Sequence, residues 1–474
     1  MRALSSSHGS DRFLRILVFF LSAAMAVPLA AADGDPLGTG LAAFDLGGNN
    51  ADSAAAVLVQ PDGKVIVVGT VTTGAGTWSP ALARFLPGGT LDTAFGTGGR
   101  VIDPLGIGNQ TAAAAHLLPN GRILVAGTLE SGPPGNSDFY VLRLLENGSV
   151  DAAFGIFGFT LTMFDVGGDH TDTLAAMTVD RNDRILVAGS VDVSPTDIDF
   201  GVARLLADGT LDSGFSGDGK ATIPISAAGG IDGALAIAYD TTGIVVGGAT
   251  WDTYLGGQFN SALVRLLADG SLDTGFGVGG QVVMPWASGG TNNDFVWAVG
   301  VWPDGEIVAG GDIATGVDEW MFSLQRFSAT GAFLGGTLGP FCSVGTPPCP
   351  AQPQDSIRAL RLQGDGRIVV AGFGRGLAGN QDLGIGRFER DLTPDWSFGT
   401  TGTTTYDFAY GIGAGNDSGT ALAFDRDGRI VVAGSAEWNG LDTDFAWARF
   451  DSSYIFADSF DWPGGTGRWS STAP

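Results

Sequence analysis

The chain has 474 residues, a formal net charge of −26 at pH 7, 44% hydrophobic residues and 77 glycines. That charge argues against nucleic acid and anionic membranes as partners. The hydrophobic share excludes disorder, and glycine far above the usual ~7% points to many short strands joined by turns.

The chain opens with Arg12 and Arg15 ahead of the apolar run ILVFFLSAAMAVPLA (16–30), closed by Ala30-Ala31-Ala32. A short run ended by small residues predicts a secretory signal over residues 1–32 rather than a stable span. Secretion, or residence at the cell surface or in a periplasm, is the expected setting, with no membrane span after cleavage. Next comes LAAFDL (41–46), a strand with nothing before it to pair with.

One unit then recurs seven times. Its hallmark is an apolar run closed by glycine, at Gly69, Gly127, Gly189, Gly248, Gly311, Gly372 and Gly434, so the period is 58 to 63 residues. Such a period describes a small unit that packs on its neighbours. Residues 100–146 serve as the example. RVIDPL (100–105), AAAAHLL (112–118), RILVAGTL (122–129) and FYVLRLL (139–145) read as strands, bounded by Gly, Pro, Asn and Asp. PDG (61–63), PNG (119–121), PDG (303–305), GDG (364–366) and RDG (426–428) predict tight hairpins between the second and third strands.

These features predict an all-β fold: a seven-bladed β-propeller of four-stranded antiparallel blades over 33–451, with 452–474 as a tail. The second strand is the richest in small residues and is placed innermost. The first strand of the following copy lies outermost. LAAFDL then completes the last blade beside FAWARF (445–450) and closes the ring. A solenoid would need polar end repeats, and the first and last copies are as apolar as the rest. Cys342 and Cys349, in CSVGTPPC, are expected to form a local disulfide in an exported protein.

The phrases QPDGKVIVVGT (60–70), ALARFLPGGTLDTAFGTGGRV (81–101), ARLLADGTLDSGFSGDGK (203–220) and VRLLADGSLDTGFGVGGQV (264–282) resemble the delta-60 repeat family of secreted bacterial proteins. The resemblance implies a repeat architecture and an extracellular setting, and it brings no catalytic residues. Copy five departs from it, because GAFLGGTLGP (331–340) replaces the LDxxFG phrase. That substitution puts the outer strand there in question.

Each copy carries one arginine in its fourth strand: Arg84, Arg143, Arg204, Arg265, Arg326, Arg387 and Arg449. A charge between blades needs a partner. Asp92, Asp151, Asp212, Asp273 and Asp395 of the LDxxFG phrase are the candidates, so these arginines read as structural. Arg326 lacks that aspartate, and backbone carbonyls are its expected partners.

Asp52, Asp172, Asp232, Asp294, Asp355 and Asp417 lead into the inner strand, with Thr111 taken as the counterpart in copy two. Asp138, Asp199, Asp382 and Asp444 precede the fourth strand on the same face. Converging carboxylates at a channel mouth would suit calcium, and turn formation is the plainer role. No cofactor is required. Trp78, Trp251 and Trp320 beside the same loops are either blade packing or platforms for a sugar or peptide.

His116 and His170 are the only histidines after the leader, and no nucleophile elbow or phosphate loop is present. Catalytic residues are therefore unassigned. The reading is a secreted, monomeric, non-enzymatic propeller scaffold that binds an extracellular protein or glycan through its acidic face. The alternative is an extracellular carbohydrate-active or other hydrolytic or lyase enzyme on that face.

Overall fold

The hairpin turns form because their glycines can take the left-handed conformation. Gly63, Gly121, Gly305, Gly366 and Gly428 have φ of 85°, 81°, 86°, 93° and 79°. The computed structural model describes residues 41–44 and 51–450, apart from 74–76, 108, 131–134, 165–170, 227–228, 241–242, 253–256, 285–292, 317–318, 342–353, 376–378, 399–401, 409–414 and 438–442. The expected leader, the cysteine bridge, His170 and the tail lie outside the described residues. Among the described residues the regular structure is all strand.

In the first unit, Ser53–Val59, Val65–Thr73, Thr77–Phe85 and Arg100–Ile102 pair antiparallel in that order. The second unit repeats it with Gln110–Leu117, Ile123–Glu130, Ser137–Leu144 and Phe159–Thr162. The expected runs there match within three residues at each end. A single parallel pair, Ile198 with Ile231, merges the third and fourth units into one eight-stranded sheet. Copy five does form its outer strand, Phe333–Gly339, which pairs with Glu319–Phe327 without the LDxxFG phrase.

Leu41–Phe44 pairs antiparallel with Thr443–Phe450, from Leu41 opposite Ala448 to Phe44 opposite Phe445. The chain start thus supplies the outer strand of the last unit.

The closing glycine of each apolar run has a steric cause. Every innermost strand carries a bulge, for example between Ala54 and Ala56 and between Gly419 and Ala421. The bulge presses a carbonyl onto the glycine. A Cβ on Gly69 would lie 2.1 Å from Ser53 O, and one on Gly434 would lie 1.7 Å from Ser418 O. Only a residue without a side chain fits.

The apolar core is divided among the seams. Leu186, Ala188 and Phe200 of the third unit pack with Val246, Ala262 and Val264 of the fourth. Val67, Ala83 and Phe85 of the first unit pack in the same way with Val431, Phe445 and Trp447 of the last. The innermost strands of successive units touch one another, and Ser53–Val59 of the first touches Asp417–Phe424 of the last.

Candidate functional site

Each seam between units has two polar ends. At one end sits the repeat arginine. Its Nε meets the LDxxFG aspartate in five copies: Arg84 with Asp92 at 2.9 Å, Arg143 with Asp151 at 2.8 Å, Arg204 with Asp212 at 2.8 Å, Arg265 with Asp273 at 3.2 Å and Arg387 with Asp395 at 2.6 Å. In four of these, Nη1 also donates across the seam. Arg84 reaches Glu146 O and Arg143 reaches Ala207 O, both at 2.6 Å, and Arg204 and Arg265 reach Ala268 O and Ala329 O. The guanidinium lies over the phenylalanine of the same phrase, as Arg84 lies 4.5 Å from the Phe95 ring centre. A buried charge is thereby paired, hydrogen-bonded and stacked at once. Burial pushes Asp151 and Asp395 up in pKa, but amide and arginine hydrogen bonds outweigh it and hold both below the usual carboxylate value.

Two copies differ. Arg326 pairs with Glu306, Nε to Oε2 at 2.9 Å and Nη2 to Oε1 at 3.2 Å, rather than with backbone carbonyls. Glu306 stands just after the PDG turn, where no repeat phrase would flag it. Arg449 has Asp425 at 3.6 Å and donates to Pro87 O and Gly63 O of the first unit.

The other end of each seam is acidic. Asp52, Asp172, Asp232, Asp294, Asp355 and Asp417 are all buried. Those whose bonds are resolved serve the backbone. Asp232 Oδ2 accepts from Ile225 N at 2.7 Å and Ser226 N at 2.9 Å, and its Oδ1 accepts from Thr250 Oγ1 at 2.6 Å. Asp417 accepts from Phe408 N at 2.7 Å and Glu437 N at 3.3 Å. Asp355 accepts from Phe341 N at 3.0 Å, Asp172 from Phe164 N and Asp192 N, and Asp52 from Thr72 N. Each of these carboxylates ties loop or third-strand backbone to the start of an inner strand. They do not gather into one cluster. Among the described residues, no group of three or more His, Cys, Asp or Glu side chains is placed to hold a metal ion. In copy two the register puts buried Gln110 in the aspartate's place, because Thr111 pairs with Thr128 as Ser53 pairs with Thr70.

Burial raises several of these acids. Asp355 stands at about 7 and Asp417 at about 7, the latter pushed further by Asp407 and Asp382. Asp199 reaches about 6 through burial, Asp197 and Asp232, and Asp382 reaches about 6 through burial and Asp407. Acids of the fourth strand thus face acids of the next unit's inner strand.

On this same face lies an aromatic row that the repeat pattern does not contain. Trp251 meets Phe259 at 5.0 Å, Phe259 meets Phe295 at 5.4 Å, and Phe295 meets Trp297 at 5.5 Å and Trp320 at 6.4 Å. All five rings are half-buried. Arg358 caps the row, 3.8 Å from the Trp297 ring centre, with Asp312 beneath it at 3.7 Å. Trp297 Nε1 donates to Asp312 Oδ1 at 2.9 Å. Trp78 stands apart in the first unit, more exposed. The sequence marked Trp251 and Trp320, while Phe259, Phe295 and Trp297 lay unremarked inside strands.

A family model described as a domain of unknown function (DUF5122) beta-propeller matches residues 60–95, 118–154, 181–215, 243–276 and 363–398. The chain is built of β-propeller repeats. The five matched stretches are those that carry the complete Arg–Asp–Phe arrangement. No curated protein matches the chain. Among solved structures, a protein of unknown function from Dyadobacter fermentans is 13% identical, with TM-score 0.45, covering 87% of this chain and 99% of its own. The β-propeller domain of the trilobed protease from Pyrococcus furiosus is 9% identical, with TM-score 0.42, covering 85% and 99%. A xyloglucanase from Xanthomonas campestris is 14% identical, with TM-score 0.40, covering 85% and 55%.

Proposed function

We propose that the chain is an exported, seven-bladed, ring-closed propeller of the delta-60 repeat type, and that it binds a glycan through its acidic, aromatic face. Residues 1–32 act as the export signal, 33–451 form the ring and 452–474 are a tail. The protein works as a monomer and needs no cofactor. The observation that carries the binding reading is the row of five half-buried rings around Phe295. Rings that only pack a seam are buried on both faces, as Phe139 and Phe200 are. Rings left with one open face offer the C–H faces of a sugar a flat apolar surface. The buried aspartates beneath fix the backbone that presents the row.

The test is calorimetric titration of the mature chain with neutral oligosaccharides. Trp251→Ala and Trp320→Ala should each weaken binding about 3- to 10-fold while the melting temperature holds. Unchanged affinity in both variants would remove the row from the site.

The enzyme reading rests on the raised pKas of Asp355 and Asp417. Their oxygens accept backbone amides and they are buried, which favours a framework role. New reducing or unsaturated chain ends after incubation with polysaccharides, lost in Asp417→Asn, would reverse that preference.

A further inference from the structure

The register of the innermost strands defines layers around the ring axis. One layer stands opposite the second residue of each third strand. There Arg361 faces Val369, His116 faces Leu124 and Thr178 faces Leu186. The other four positions hold apolar residues or glycine, such as Leu58 and Gly300. Two residues nearer the mouth, the layer is alanine in every unit, from Ala56 to Ala421. Ala56, Ala236, Ala298, Ala359 and Ala421 of that layer are buried in the seams, so the polar layer is distinct from its neighbour.

Arg361 differs from every repeat arginine. It makes no ion pair among the described residues, and Nη1 donates only to the neighbouring Leu360 O at 3.1 Å. It is exposed to solvent, yet protein surrounds it closely enough that burial lowers its pKa. Those two facts fit a side chain projecting into an axial channel. Its charge is felt on the far side of the ring. His116 is held below its usual pKa first by burial and then by Arg361, although the two stand four units apart in one direction and three in the other. His116 is therefore neutral and can donate one hydrogen bond. Arg358, three residues before Arg361, is by contrast already engaged by Asp312 and Trp297.

Solvent-exposed and without an ion pair among the described residues, the Arg361 guanidinium keeps most of its donors free for a ligand. We propose that Arg361, with His116 and Thr178 as neutral hydrogen-bonding neighbours, forms an axial site for one oxyanion, a carboxylate or a sulfate. The guanidinium fork matches two oxygens of such a group. The acidic exterior opposes the approach of anions in general, so binding depends on close contact with the guanidinium. It uses no residue of the aromatic row.

The test titrates the mature chain with sodium sulfate, sodium glucuronate and neutral glucose by calorimetry. A saturable heat is expected for at least one anion, weakened by added sodium chloride. Binding of both marks a general oxyanion site, and binding of glucuronate alone marks a site for carboxylated sugars. Arg361→Gln should weaken binding about 10-fold or more, Arg361→Lys should keep part of it, and His116→Gln should cost less. Melting curves establish that each variant folds. Trp320→Ala should leave anion binding unchanged, which separates this site from the glycan face. No saturable heat with either anion, or wild-type anion affinity in a folded Arg361→Gln or Arg361→Lys chain in which the charge or its fork is gone or altered, would overturn the proposal.

Discussion

The two ends of each seam solve the same problem in opposite ways. At the arginine end, opposite charges are buried together. Arg204 has Asp212 beside it, Ala268 O across the seam and Phe215 under its plane. At the acid end, like charges are buried near one another, as Asp199 and Asp232 or Asp382 and Asp417. The first end is compensated at any ordinary pH. The second is compensated only when protons or backbone amides stand in for a cation. Each seam is therefore held firmly at one end and conditionally at the other.

The sharpest break in that comparison comes from outside both ends. Removing Leu41–Phe44 leaves Thr443–Phe450 with an open edge. The loss should be on the order of 5 kcal/mol or more, with a tendency to associate. Thermal unfolding and light scattering would show it, and an unchanged melting curve would refute closure through this strand.

At the arginine end, Arg204→Ala leaves half-buried Asp212 with Arg184, 3.7 Å away, as its remaining cation. The expected cost is about 1–3 kcal/mol, with Arg204→Lys recovering part of it. Denaturant titration measures both. Equal stability of the alanine variant and the parent would mean that the Phe215 contact and the apolar seam suffice.

The acid end should show itself through pH. A carboxyl whose folded pKa is raised binds more protons folded than unfolded. Its stabilising contribution is fully present below the unfolded value, near 4, and fades as pH rises through the folded value. For Asp199 and Asp382 that value is about 6, and for Asp355 and Asp417 about 7. Stability should thus fall between about pH 4 and pH 7. Below that window the lowered acids Asp151 and Asp395 act in the opposite direction and lose their contribution as they protonate. Asp382→Asn removes one like charge. It should raise the melting temperature at pH 7.5 by roughly 3–6 °C, by about half as much at pH 5, and little near pH 4. A flat response at both values would show that the acids do not repel.

The strands, the hairpin turns and five arginine partners were legible because they recur, and recurrence fixes spacing. What does not recur was hidden. Glu306 serves Arg326 from the turn before the third strand. Gln110 takes an aspartate's place one residue before the position that spacing alone selects. Phe295 and Trp297 look like ordinary strand residues until the start of the fifth inner strand brings them beside Trp320 and Phe259. The acids were visible as turn residues, but whether a turn carboxylate points outward or into a seam depends on backbone amides from two other segments. Arg361 carried no signal beyond its charge, since its isolation is a property of the other inner strands.

The pairing of Leu41 with Ala448 and of Phe44 with Phe445 has a mechanical consequence. The two strands run in opposite directions, so Leu41 and Phe450 lie at the same end of the pair. Tension applied between those two residues would peel the pair apart one hydrogen bond at a time, beginning near Leu41, rather than shear all the bonds together. The last unit would yield first at this joint, at low force.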